Sequence, residues 1–128
     1  MLVHFPIALA LIAAGAETLA IATRRPLWHL VGLANVRVGA FFAAGAAAAG
    51  WLFATGAGAS LDGLELHRWL AVASTATMII AALLSIPQAA QRERLRLYRA
   101  FLFVSALGIG GAAHVGATLV WGAHFFHL

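Results

Sequence analysis

Six histidines stand in a chain of 128 residues that is 63% hydrophobic. Three of them, His4, His67 and His114, lie in or at the edge of long apolar runs. A neutral imidazole ligates haem iron, copper, zinc or non-haem iron. Placed in hydrocarbon without a partner it is costly, so its presence there is a functional signal. His114 sits in the stretch Gly108-Ile109-Gly110-Gly111-Ala112-Ala113-His114-Val115-Gly116. On a helix, Gly110 and Gly111 share its face one turn earlier, and side chains lean toward the helix N-terminus. The imidazole then overhangs two residues without side chains, which leaves room for a flat group such as a porphyrin. The same small residues also suit close helix packing, and a histidine can hydrogen-bond across helices. Arg68 follows His67 directly. Its guanidinium suits a haem propionate, to which it offers two parallel hydrogen bonds, and equally suits an interfacial anchor. His124 and His127 fit a wet interface by themselves; His124 is a reserve ligand.

The elements that must position these groups are membrane helices. Only 9% of the residues are charged, far below the share of a soluble domain. Cysteine is absent, which excludes disulfides, thiolate metal sites and covalent haem attachment through a Cys-x-x-Cys-His motif. Four apolar runs cover about 3–22, 27–54, 67–86 and 101–126, each near or above the roughly 20 residues that cross a bilayer. No soluble domain fits between them. The sequence predicts one four-span membrane domain over 1–128, an all-α four-helix transmembrane bundle with up-down-up-down topology. The first run has no basic region before it and carries Glu17, so no cleavable signal peptide of the usual form is expected.

Orientation follows from arginine, which supplies all eight basic residues. Arg24 and Arg25 lie in the first connection, and Arg92, Arg94, Arg96 and Arg99 in the third. The glycine-rich second connection carries Asp62, Glu65 and Arg68 and is nearly neutral. The positive-inside rule places the first and third connections in the cytoplasm and both termini outside, in the periplasm of a bacterial inner membrane. Five of the six histidines then gather toward the outer face, from three helices. Trp51, Trp69 and Trp121 fall at that edge as an aromatic belt. Depth complicates a common site: His114 precedes His124 by about 15 Å of helix, and lies deeper than His4 and His67. A His4–His67 pair, a pair that includes His114, and two cofactors all remain open.

Glu17 and Arg37 lie in the cytoplasmic halves of adjacent antiparallel runs. They are expected to form a buried ion pair, with a proton or quinone site as the functional alternative.

The opening Val3-His4-Phe5-Pro6-Ile7-Ala8-Leu9 resembles the opening of a family of predicted four-helix bacterial membrane proteins of unknown function, DUF2231. The stretch from Gly111 to Gly122 resembles that family's close, with Ala117 where a second glycine is usual. Leu66-His67-Arg68-Trp69-Leu70 is similar to the third-helix start of some members, often those linked to c-type cytochrome domains. The resemblance implies the four-span fold and an association with respiratory or redox membrane complexes. It supplies no established activity.

The resulting expectation is a small b-type cytochrome-like subunit rather than an enzyme on its own. It would hold one or two haem b groups non-covalently through His4, His67 and His114, with Arg68, Gly110 and Gly111 around them. Its partners would be lipid, other membrane subunits, and a quinol or periplasmic cytochrome c. The alternatives are a non-catalytic anchor subunit, for which the small faces of helix 2 (Ala40, Ala43, Gly45, Ala47, Gly50) are suited, and a chlorophyll- or metal-binding subunit.

Overall fold

The computed structural model describes residues 4–56, 63–86 and 92–122. Its elements are α1 (His4–Thr23), α2 (Pro26–Gly56), α3 (Leu64–Leu84) and α4 (Arg92–Trp121), with no strand among the described residues. Each helix is long and apolar enough to cross a membrane. The chain is an all-α four-helix bundle. α1 packs on α2, α2 on α3, α3 on α4, and α4 closes the ring against α1.

Local chemistry sets several boundaries. Pro26 opens α2, where its fixed φ suits a first helical position and its missing N–H costs nothing. The connection between α1 and α2 is only Arg24 and Arg25. Gly63, at φ 88, supplies the left-handed residue before α3 that a side chain would strain.

The start of α4 differs most from expectation. Arg92, Arg94, Arg96 and Arg99 belong to α4 rather than to a loop. Leu95, Tyr98 and Leu102 recur among them at helical spacing, and all three pack into the core. With 30 residues α4 runs about 45 Å, and α2 with 31 runs about 46 Å. Both exceed a hydrocarbon thickness of about 30 Å.

The packing places small side chains inside and large ones outside. Ala10, Ala13, Ala16 and Ala20 line the buried face of α1, and Ala40 and Ala43 that of α2. Phe41, Phe53 and Leu107 are more than three-quarters exposed. In lipid, apolar side chains gain nothing by leaving the tails, so close backbone approach drives association. The seam between α3 and α4 shows this best. Ser105 Oγ donates to the Ser74 carbonyl at 3.1 Å, and a Cβ on Gly108 would overlap the Ser74 hydroxyl. Between α1, α2 and α3, Gly39 leaves space for Met78 and for Leu9.

The C-terminal end of α3 is closed by two arginines from other helices. Arg37 Nε donates to Ser85 Oγ at 2.8 Å, and its Nη2 donates to the Ser85 carbonyl. Arg94 Nε donates to the Leu84 carbonyl at 2.9 Å, and its Nη2 to that of Leu83 at 3.1 Å. The last carbonyls of a helix lack intrahelical donors and carry its negative dipole end. Two guanidinium groups satisfy both requirements.

The seam gives a stability prediction. Gly108→Leu should separate α3 from α4 and cost about 1–3 kcal/mol in detergent unfolding. A Cβ on Gly45 meets nothing within 4 Å, so Gly45→Ala should leave the fold intact or stabilise it by about 0.5–1 kcal/mol.

Candidate functional site

At its N-terminal end, α3 presents His67 to α4. Its Nδ1 lies 2.9 Å from the Ala112 carbonyl. A carbonyl oxygen only accepts, so Nδ1 carries the hydrogen, and in the neutral ring the lone pair is then on Nε2. The ring rests against Gly116, where an added Cβ would fall 2.9 Å from Cε1 and 3.1 Å from Nδ1. Gly116 is therefore the seat of this imidazole. Arg68, the next residue, stacks its guanidinium 3.9 Å over the Trp51 ring of α2, and Trp69 meets Trp51 edge-on at 6.4 Å. The Arg68 Nε is buried with no hydrogen-bond partner among the described residues.

The remaining outer candidates point elsewhere. Ala112 is buried while His114 is exposed. Two residues along a helix is a rotation of about 200°, so His114 faces away from the seam that holds His67. Gly110 and Gly111 accompany it on open surface, where a Cβ on either would meet nothing within 4 Å. His4 begins α1 and is exposed. His124 and His127 lie outside the described residues. Within one bundle, His67 and His114 are not brought to a common point. Among the described residues no three histidine or acidic side chains cluster as a metal cage.

The densest polar cluster is at the opposite, arginine-rich end. Glu17 of α1 is completely buried. Its Oε1 pairs with His29 Nδ1 of α2, and its Oε2 accepts from Arg99 Nε of α4 at 2.9 Å. Tyr98 packs edge-on to His29, with ring centroids 5.9 Å apart. Its hydroxyl is buried without a hydrogen-bond partner among the described residues. Gly32 completes the enclosure: a Cβ there would lie 3.1 Å from Glu17 Cγ and Oε1 and 3.4 Å from Tyr98 Oη.

This corrects the expected Glu17–Arg37 pair: Arg37 serves the end of α3 instead. Helix register explains the difference. Measured from the helix ends, Glu17 lies about 9 Å in, His29 about 4.5 Å, Arg99 about 10 Å and Arg37 about 16 Å. The two-residue connection fixes that register, and Arg37 is too deep. His29 and Arg99 had a readable signal, since an acidic residue inside a span requires partners at its own depth.

The pairing is testable by double-mutant cycles. Removing Arg99 leaves a buried carboxylate with its guanidinium gone, so Arg99→Leu should cost about 3–5 kcal/mol. Arg99→Leu combined with Glu17→Leu should cost clearly less than the sum of the two single changes. Glu17→Leu with Arg37→Leu should be additive within about 0.5 kcal/mol, as for sites without shared partners. Thermal unfolding in one detergent reads all of them.

No curated protein and no solved structure matches the chain. The family model DUF2231, described as a predicted membrane protein, matches residues 1–125. The four candidate spans agree with that description, and the chain belongs to the DUF2231 family of integral membrane proteins.

Proposed function

We propose that the protein is a membrane-embedded electron-transfer subunit of a larger redox complex, and that it binds haem b at its outer end through His67. The observation that supports this reading is the His67–Arg68 pair. The Ala112 carbonyl holds Nδ1, the second-sphere arrangement that orients ligating histidines. Nε2 makes no hydrogen bond among the described residues. Beside it stands a guanidinium with a buried, unpartnered Nε, which suits a propionate. His67 would ligate the iron, the Arg68 guanidinium would pair with a propionate, and Gly116 would seat the imidazole. His4, exposed at the start of α1, is a group this chain can offer to a neighbouring subunit. Bound haem supplies one-electron transfer between a quinol or partner subunit and a periplasmic carrier such as cytochrome c. The protein's part is ligation, orientation and exclusion of water.

The spectrum of the purified protein tests this. Reduced-minus-oxidised bands should be present, and His67→Ala should remove or reshape them while His29→Gln leaves them unchanged. Unaltered bands in His67→Ala, or a native complex without haem at this subunit, would overturn the reading. Far-red bands would indicate chlorophyll, and a colourless protein a packing subunit.

The same reading places the protein in a bacterial inner membrane with both termini periplasmic, because the arginines concentrate at the α1–α2 connection and the start of α4. The chain has no cysteine, so single introduced cysteines report cleanly. Glu65→Cys should react with an impermeant reagent from the periplasm and Arg92→Cys should not. The reverse pattern would invert the topology.

A further inference from the structure

We propose that Glu17 is a membrane-embedded proton acceptor, loaded through His29 from the arginine-rich end of the bundle. The proposal is independent of haem at the opposite end.

A carboxylate without solvent contact in a membrane helix is an expensive choice where any apolar residue would pack. Glu17 has two bonded partners that reach the surface. The His29 side chain is 32% exposed and the Arg99 side chain 28%. A guanidinium keeps its protons and cannot relay one. An imidazole can, because each ring nitrogen binds hydrogen in turn. His29 is thus the partner able to carry a proton between the surface and the enclosed carboxylate.

The step balances without any other reactant. The carboxylate accepts, so His29 Nδ1 carries hydrogen toward Oε1. Nε2 takes a proton from the aqueous side, and the N–H bond at Nδ1 breaks as an O–H bond forms on Oε1. The ring is left neutral with its hydrogen on Nε2, and the site has gained one proton. Release is the reverse. Arg99 stays on Oε2 throughout and prevents the carboxylate from standing alone before loading.

The surroundings are sparse, which keeps the exchange local. From α2 the site faces His29, with Arg37 farther along and committed to Ser85. From α4 it faces Tyr98 and Arg99. α1 contributes no other ionisable group past His4, and α3 offers Ser85 as its polar group at this level, bonded to Arg37. The buried Tyr98 hydroxyl also lies beside the carboxyl. A quinone head group does not fit, since even one carbon added at Gly32 would touch both Glu17 and Tyr98.

The test exploits the composition. The chain has four acidic residues, so Asp62→Asn, Glu65→Gln and Glu93→Gln together leave Glu17 as the sole acidic side chain. Isotope-labelled glutamate separates its carboxyl from the C-terminal one. Infrared difference spectra of this full chain in lipid nanodiscs should show a protonated-carboxyl C=O band growing as pH falls and shifting in D2O. Adding His29→Gln should keep the amide-for-imidazole hydrogen bond but slow hydrogen–deuterium exchange of that band roughly a hundredfold. Exchange at the parental rate in His29→Gln would overturn the proposal. So would a carboxyl that stays ionised at every pH at which the protein remains folded. Haem content enters neither readout.

Discussion

Hydrocarbon provides no hydrogen bonds, and Glu17 shows how this chain answers that constraint. Its carboxylate is enclosed on α1 and takes one partner from α2 and one from α4. Three helices are thereby locked in register at one end of the bundle. The pairing is specific in depth and in direction, because any slip of one helix turn would strand a charge. The apolar surfaces around it cannot impose such register, since Leu and lipid tails are equivalent neighbours.

α3 lies outside this lock and is held by other means. Its N-terminal half carries His67 onto the Ala112 carbonyl and Gly116, and its middle binds α4 through Ser74, Ser105 and Gly108. Its last carbonyls are covered by Arg37 from α2 and Arg94 from α4. Each contact removes an unsatisfied backbone or side-chain group from the apolar phase, where it would cost several kcal/mol, roughly. The fold is a bundle of small-residue seams with polar fastenings at intervals.

The two ends differ in chemistry. The end at the start of α3 carries an oriented imidazole and an arginine stacked on tryptophan. The arginine-rich end carries a closed carboxylate with a part-exposed imidazole bonded to it.

The fold class was legible in the sequence because four apolar runs of bilayer length admit little besides helices. The helix ends were partly legible: Pro26 suits the first position of α2, whereas α3 begins three residues before the expected 67 and the start of α4 was hidden by its arginines, with Leu95 and Tyr98 continuing the helical face beneath them. The sequence also marked Glu17 as needing a partner, but it could not choose among Arg37, His29 and Arg99. That choice depends on axial register and on the rotation of each helix about its axis, and both are set by the tertiary packing. The same is true of the histidines. Span order and the arginines predicted five of the six near one face of the membrane, but the seating of His67 on Gly116 and the outward turn of His114 arise from which side of α4 meets α3. Apolar periodicity is weak in a helix that is apolar all round, so contact between small residues, not hydrophobic patterning, decided which imidazole lies inside.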